Sequence, residues 1–409
     1  MSHFRLILLL LCCLCISSQN AFAQKGCTDP MASNYNPSAK QNDGSCIYPS
    51  TTITPIVKVS ALSDSLLETS GLAQHKGLWY SINDGGNPNQ IHQINVQNGH
   101  IVSSKVIVNA TNEDWEDLCF DDSFCYVGDF GNNNGTRKNL KVLKIPSNTF
   151  NQSQFDTVQA ETIAFSFADQ TQFNSTPNAT TFDVEAFFVW NDSVHVLTKN
   201  WVSAYTKHYI FPAKAGVYTV QVKDSLLTDF MVTGACINPA NHNIALVGYN
   251  ATGSGYLMLL WNYQNGSIFS GNKRKINLGG FFTVGQIEAI AFFNHETLYA
   301  TNEKNIISNR LMQIQVGSVL NASNGLLDQR ISTSSISIYP NPVAQCINIK
   351  DYKGGQAYFK LSTLQGQTIL EGALKPSIDV SNLPEGIYMF CIDRPLGQSQ
   401  QTLIVKSNL

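Results

Sequence analysis

Charged residues are scarce in this chain, and basic segments are nearly absent. Asp, Glu, Lys and Arg make up 13% of the 409 residues, and the formal net charge is −3. The only basic cluster is the short NKRK at Asn272–Lys275, so the electrostatic footprint of a nucleic-acid partner is missing. Hydrophobic residues still account for 43%, which excludes a disordered chain and is typical of a β-rich exported protein.

Apolar runs long enough to cross a membrane are also missing. The first 23 residues combine Arg5, the apolar core LILLLLCCLCI and the triplet AFA (Ala21–Ala23), which is the pattern of a cleaved signal peptide. The core is too short for a comfortable transmembrane span. We therefore expect residues 1–23 to be removed. The mature chain, without a transmembrane segment, then passes through the periplasm and is secreted or attached to the cell surface.

Cysteines are few, and three of the ten lie in the predicted signal peptide. Cys27 and Cys46 bracket a segment, residues 24–50, that is rich in Asn, Asp, Pro and Gly and has almost nothing to bury. Because a core cannot stabilise such a segment, a Cys27–Cys46 disulfide is predicted. Cys119 and Cys125 flank FDDSF, and a turn there would place them opposite each other on adjacent strands. A second disulfide is predicted at that hairpin.

Five short blocks recur through residues 51–330, each followed by a turn and a hydrophobic strand. The blocks are ETSGLA, DWEDLC, DVEAFF, TGACIN and QIEAIA, roughly 46 to 69 residues apart. A strand–turn–strand unit at this period, without helical periodicity between copies, predicts an all-β fold with a β-propeller over residues 51–330. The widest gap, from Glu116 to Glu185, leaves room for an additional blade, so six blades are expected and five are the alternative.

The innermost strands of a propeller face one central channel, so equivalent block positions converge on one axis. A first ring is predicted from the third or second residue of each block: Ser70, Glu116, Glu185, Gly234 and Glu288. A second ring, the predicted ligand-facing set, lies at the ends of the following strands: Asp84, Asp129, Lys199, Tyr249 and Asn302.

Acids are concentrated at these positions, and the stretch NEDWEDLCFDD (Asn112–Asp122) alone contains six. Converging carboxylates repel one another unless they are protonated, paired or bound to a cation. No histidine or cysteine accompanies them, so Ca²⁺ fits better than zinc as a cofactor. The predicted metal ligands are Glu116, Glu185, Glu288, Asp114 and Asp183. The alternative is that acids at strand starts bind backbone N–H groups and join the blades.

The chain changes character after Gln329, where alternating strands are separated by the turn signals PNP, LQGQ and LPEG. This pattern predicts a small β-sandwich over residues 331–409. The motifs YPNP (Tyr339–Pro342) and NLPEGIY (Asn382–Tyr388) resemble those of the type A C-terminal sorting domain of the type IX secretion system. The resemblance implies that the type IX machinery is a partner of this segment, which directs the protein across the outer membrane for release or surface attachment.

The middle blocks, such as ETSGLA…LWYSINDGG and NEDWEDLC…CYVGDFGNN, resemble secreted propellers and, more distantly, the esterase-like-phytase and other calcium-dependent propeller groups. The chain lacks the dense basic cluster that a polyanionic phosphate substrate requires, and it has no G-x-S-x-G motif. Two functions stay open. One is binding of a small ligand, glycan or surface protein at the acidic channel mouth. The other is calcium-dependent hydrolysis of phosphate or carboxyl esters, so the sequence leaves open whether the protein is an enzyme.

Overall fold

The computed structural model describes residues 24–151, 156–173, 176–264, 266–324, 337–350, 357–363, 368–393 and 399–407. The predicted signal peptide, residues 1–23, lies outside them. Strands hold 52% of the residues and helices 4%, so the predicted all-β class is confirmed. The helices are two 3-10 turns, Asp64–Leu66 and Ser147–Asn151, and the short α1 (Phe281–Val284) and α2 (Gly317–Asn324). No helix in the described ranges is long and apolar enough to span a membrane.

The first described residues form a small module on the fourth of the large sheets defined below. Strands β1 (Lys25–Gly26) and β2 (Gln41–Asn42) pair in parallel. The predicted Cys27–Cys46 disulfide is confirmed. The ring centroid of Tyr48 lies 5.3 Å from that of Trp261, so the module packs an aromatic side chain against the sheet.

Residues 56–315 build five largely antiparallel sheets from strands that follow one another along the chain. After β3 (Ile56–Val59), the first sheet begins with β4 (Thr69–His75), β5 (Leu78–Asn83), β6 (Gln90–Ile94) and β7 (Ile101–Ile107). The second begins with β8 (Trp115–Phe120), β9 (Phe124–Asp129) and β10 (Lys141–Pro146). The next two strands extend these sheets: β11 (Thr157–Val158) pairs with β7, and β12 (Glu161–Phe167) pairs with β10.

The remaining sheets follow the same plan. The third contains β13 (Asp183–Trp190), β14 (Ser193–Lys199), β15 (Tyr205–Pro212) and β17 (Val222–Leu227), while β16 (Gly216–Val220) pairs with β12 of the second. The fourth contains β18 (Met231–Ile237), β19 (Ile244–Tyr249), β20 (Gly255–Trp261) and β21 (Asn272–Gly279). The fifth contains β22 (Gln286–Phe292), β23 (Thr297–Glu303) and β24 (Leu311–Gln315). Its outer strand β24 pairs with β3, so the fifth sheet joins both ends of this region.

The first strand of each sheet, called an inner strand below, contacts the inner strand of the next sheet. Thus β4 contacts β8, β8 contacts β13, β13 contacts β18 and β18 contacts β22. The circle ends where β22 contacts β4. Every inner strand also carries a β-bulge at the same place, after its first or second residue. A bulge inserts one unpaired residue and re-aims its side chain. The inserted residues are Ser70, Glu116, Glu185, Thr233 and Glu288.

The predicted Cys119–Cys125 disulfide is wrong, and both residues are free thiols. In the pairing of β8 with β9, Cys119 lies opposite Tyr126 and Phe120 lies opposite Cys125. The two cysteines are therefore offset by one position, and successive side chains of a strand point to opposite faces of the sheet. Accordingly, Cys119 packs against the hydrophobic cluster that contains Tyr126, whereas Cys125 belongs to the cluster on the other face.

Residues 337–407 carry two further sheets. Their strands are β25 (Ser337–Tyr339), β26 (Cys346–Lys350), β27 (Tyr358–Thr363), β28 (Thr368–Ala373), β29 (Ser377–Asp379), β30 (Gly386–Asp393) and β31 (Ser399–Lys406). One sheet has the order β25-β26-β29 and the other β28-β27-β30-β31. Side chains of both, including Ile347 and Phe390, share one hydrophobic cluster. Cys346 and Cys391 lie on different sheets.

Candidate functional site

The five bulge residues converge at the N-terminal ends of the inner strands, and together with the acids around them they form what we call the acidic pocket. The two neutral members donate hydrogen bonds to the next inner strand, Ser70 Oγ to the Trp115 carbonyl (3.2 Å) and Thr233 Oγ1 to the Ile287 carbonyl (2.6 Å). The register gives Thr233 the position that the sequence blocks assigned to Gly234. The other three members are glutamates.

Three predicted residues approach one another closely inside this pocket. One carboxylate oxygen each from Asp84, Asp114 and Glu116 lies within 4.8 Å of the other two. Asp84 follows β5, and the other two residues lie at the start of β8. We call these residues the acid trio. Its backbone surroundings are tight, because a Cβ atom added at Gly85 or Gly131 would collide with trio carboxylates.

Glu116 stands out within the trio because it is buried without a partner. The residue is only 5% exposed, yet its carboxylate accepts no hydrogen bond and forms no ion pair within the described part of the chain. Asp84 accepts from the backbone N–H of Gly85, and Asp114 lies 3.9 Å from the guanidinium of Arg137. Buried polar groups normally have partners, and an unpaired buried carboxylate is costly when ionised, so Glu116 can be protonated or can accept a cationic partner.

The electrostatics of the trio point the same way. Burial, reinforced by the carboxylates of Asp114 and Glu288, raises the pKa of Asp84 to about 7. Burial raises the pKa of Asp114 to about 6 against the opposing effect of Arg137. For Glu116, burial followed by repulsion from neighbouring acids raises the pKa well above its ordinary value. Each shift reports that negative charge is disfavoured unless a cation joins the cluster.

The predicted residue Glu185 has a partner of its own. Its Oε1 atom lies 2.6 Å from Lys199 Nζ, and both side chains are buried. The Lys199 ammonium also lies over the rings of Trp201 (4.6 Å) and Tyr249 (5.4 Å). Burial alone would lower the pKa of Lys199, but the carboxylates around it raise the pKa well above its ordinary value. Lys199 is therefore a fixed positive charge in the pocket wall.

Glu288 is bridged to an acid that sequence reasoning missed. Gln286 Nε2 donates to Glu288 Oε1 (2.8 Å) and to Glu303 Oε2 (2.7 Å). Burial, and then the charge of Glu288, raises the pKa of Glu303 to about 9. The predicted neighbour Asn302 instead donates to the carbonyls of Glu303 and Ser308, which shapes the following loop. In the pairing of β22 with β23, Gln286 lies opposite Glu303. The sequence gives no indication of this register apart from the presence of an acid at position 303.

The other two predicted residues have partners outside the acid trio. Asp129 is fully buried and pairs with Arg137 Nη2 and Lys141 Nζ, both at 2.8 Å. Asp183 accepts hydrogen bonds from the Asn132 backbone N–H (2.6 Å) and from Trp201 Nε1 (2.7 Å). These bonds hold the loops that surround the pocket.

Comparison with known proteins identifies the C-terminal part of the chain. Residues 337–406 match the family of secretion system C-terminal sorting domains. No curated protein matches this chain.

Solved structures with some similarity include a glutaminyl cyclase of Myxococcus xanthus, at 10% identity over 65% of this chain and 99% of that chain, with a TM-score of 0.38. A chain of the mitotic checkpoint complex is 12% identical over 60% of this chain and 63% of its own, with a TM-score of 0.29. The extracellular domain of a one component system of B. thetaiotaomicron is 11% identical over 83% of this chain and 49% of its own, with a TM-score of 0.29. This chain thus spans less than two thirds of the latter two, and such low TM-scores carry no argument. The family match at residues 337–406 indicates that this chain is a secreted or cell-surface protein that carries a type IX secretion sorting domain.

Proposed function

We propose that the five sheets are the blades of one β-propeller, closed by the pairing of β3 with β24. The circular order of contacts between inner strands supports closure. Five blades account for the wide gap between Glu116 and Glu185, because β10, β11 and β12 in that gap extend the first and second sheets. The inner strands then surround the axis, with the acidic pocket at one end.

We further propose that this propeller is an exported binding protein that holds Ca²⁺ at the acid trio as part of its ligand site. The observation that carries the proposal is the buried carboxylate of Glu116, which has no partner among the described residues and lies within 4.8 Å of two further carboxylates. The donor set consists of oxygen atoms alone, which suits a hard cation rather than zinc. Calcium takes about six to eight oxygen ligands, so three carboxylates would leave positions for oxygen atoms of a ligand.

Calcium titration of the metal-free protein tests this proposal. Isothermal calorimetry should give saturable binding, and at 100 times the Kd calcium should stabilise the fold by about 2.7 kcal/mol. Glu116→Gln and Asp114→Asn should abolish both effects, whereas Asp156→Asn, which removes an exposed carboxylate outside the pocket, should change neither. Equal calcium binding by the two trio variants and the wild type would refute the proposal.

Gly131→Ala provides a second variant that leaves every carboxylate in place. The added methyl group would collide with Glu116 and Asp114, and so it should weaken calcium binding without changing the charge. The same samples should be assayed with generic phosphate and carboxyl esters, because a metal with open positions can also activate water. Calcium-dependent turnover that is lost in Glu116→Gln would replace binding by hydrolysis as the function of the pocket.

A further inference from the structure

A second cavity, of about 680 Å³, lies at the opposite end of the inner strands. All five inner strands contribute to its lining through Leu72, Leu118, Phe188, Cys236 and Ala291. These residues come two to three positions after the bulge residue of the same strand, so the cavity lies on the axis beyond the acidic pocket.

Asp117 separates the cavity from the acidic pocket. Its carboxylate accepts hydrogen bonds from the backbone N–H groups of Leu118 (2.8 Å), Phe187 (3.2 Å) and Ala235 (3.4 Å), which belong to three different inner strands. On each strand, the residue that donates to Asp117 lies two positions after the bulge residue, at the edge of the cavity lining. Asp117 therefore lies between the cavity and the acidic pocket.

The aromatic residues that line the cavity pack against neighbouring rings. Phe120 stacks on His75 (4.8 Å between ring centroids) and meets Phe150 edge to face (5.4 Å). Trp190 packs against His242 (5.4 Å) and Tyr263 (5.8 Å). Because these faces already have ring neighbours, the walls favour burial of aliphatic groups over stacking of a sugar ring.

The rim of the cavity carries charges of both signs that are available to a ligand. Lys76, Asp122 and Asp192 line the cavity and are exposed. None of the three side chains forms an ion pair or hydrogen bond in the described part of the chain. Two other charged rim residues are engaged, since Lys144 Nζ donates to the Ala213 carbonyl (2.8 Å) and Asp121 accepts from Tyr126 Oη (2.7 Å).

We infer that this cavity binds a short apolar peptide with free termini. The apolar side chains would lie against Phe120, Trp190 and Ile237, which line the cavity and are partly exposed. The terminal carboxylate would pair with Lys76, and the terminal ammonium with Asp122 or Asp192. A volume of 680 Å³ is within the range of small-ligand sites, about 300 to 1,000 Å³, and accommodates two or three residues. This inference does not depend on calcium binding in the acidic pocket.

Titration of the full-length protein with the tripeptide Leu-Leu-Leu tests the inference. Calorimetry should show one saturable site. Lys76→Asn should weaken binding by about tenfold, and the double variant Asp122→Asn, Asp192→Asn should do the same, as expected for loss of a charged partner. Asn is chosen at position 76 because the backbone there has a φ of 50°, which Asn tolerates. Lys40→Asn, which removes an exposed charge from the N-terminal module, should leave the affinity unchanged.

Two further samples complete the test. Tri-leucine with an acetylated N-terminus and an amidated C-terminus should bind at least about tenfold more weakly than the free peptide, since it lacks both charges. Asp114→Asn should bind the free peptide normally, which separates this site from the acidic pocket. No binding at millimolar concentration, or equal binding of the capped and free peptides, would overturn the inference.

Discussion

Lys199 Nζ and Glu185 Oε1 lie 2.6 Å apart inside the acidic pocket, and each side chain is only 5% exposed. A buried charge whose partner is removed stays desolvated and unpaired, which typically lowers the free energy of unfolding by about 3 to 5 kcal/mol. We therefore expect this loss for Lys199→Met in urea denaturation. The double variant Lys199→Met, Glu185→Leu should recover most of it.

The exposed pair of Lys275 with Asp229, at 2.8 Å, is the matched control for that experiment. Surface ion pairs contribute about 0 to 1 kcal/mol, so Lys275→Met should change the free energy of unfolding by less than about 1 kcal/mol. Similar losses for Lys199→Met and Lys275→Met would contradict the structural role assigned to the buried pair.

In the metal-free protein, Asp84 and Asp114 should contribute a component of stability that is lost as the pH rises from about 4 to about 7. The pKa values of Asp84 and Asp114 are raised to about 7 and about 6 in the folded protein, so the folded state holds protons that the unfolded state has already released. The stability that these protonated acids contribute is complete below about pH 4 and is lost as the pH rises through their folded pKa values. In chelator, the wild type should therefore lose melting temperature relative to the double variant Asp84→Asn, Asp114→Asn as the pH rises over this range, because the comparison cancels the contribution of other titrating groups. A difference that does not change with pH would contradict the prediction.

Two buried histidines should produce the opposite dependence. His195 Nδ1 and His208 Nε2 lie 3.0 Å apart, and burial lowers their pKa values to about 4 and about 3. Below pH 6.5 the two histidines become protonated in the unfolded chain but stay neutral in the folded protein. The free energy of unfolding contributed by this pair should therefore fall as the pH falls from 6.5 towards 4. The maximum slope for two sites is about 2.7 kcal/mol per pH unit. Urea denaturation of His195→Gln, His208→Gln should lack this component, and an unchanged slope would exclude it.

Asp117 should tolerate Asn far better than Ala. Burial raises the pKa of its carboxyl group well above its ordinary value, and Asn retains one oxygen that can still accept from the backbone N–H groups of Phe187 and Ala235. Ala leaves the N–H groups of Phe187 and Ala235 without that acceptor, and each unsatisfied group costs about 1 to 3 kcal/mol. Urea denaturation should therefore give a small change for Asp117→Asn and a loss of several kcal/mol for Asp117→Ala. Equal losses would show that the side chain's charge, rather than its acceptor role, matters.

Thiol labelling should show that Cys119 and Cys125 are free but protected in the folded protein. Burial raises the pKa values of the Cys119 and Cys125 thiols well above normal, and the thiolate is the reactive form. In the native protein both should label slowly with iodoacetamide at pH 8, and unfolding in urea should make both fully reactive. Mass spectrometry of the unreduced protein should find the Cys27–Cys46 crosslink and no crosslink between Cys119 and Cys125.

Features that depend on local pattern could be predicted from the amino-acid sequence. The recurring blocks predicted an all-β chain and brought Glu116, Glu185 and Glu288 to equivalent positions, because a repeated unit places equivalent residues alike. Two cysteines around a segment without a core predicted the Cys27–Cys46 disulfide. The YPNP and NLPEGIY motifs identified the sorting domain, because short sequence motifs can be recognised without knowledge of the fold.

Features that depend on strand register and on distant partners became visible in the folded protein alone. A shift of one residue turns a strand side chain to the other face. This is why Cys119 and Cys125 do not meet, and why Glu303 rather than Asn302 joins Gln286. Asp129 looked equivalent to Lys199 in sequence, but Arg137 and Lys141 neutralise it through contacts that no local pattern encodes. The cavity at the opposite end was equally hidden, because its lining comes from all five inner strands at once.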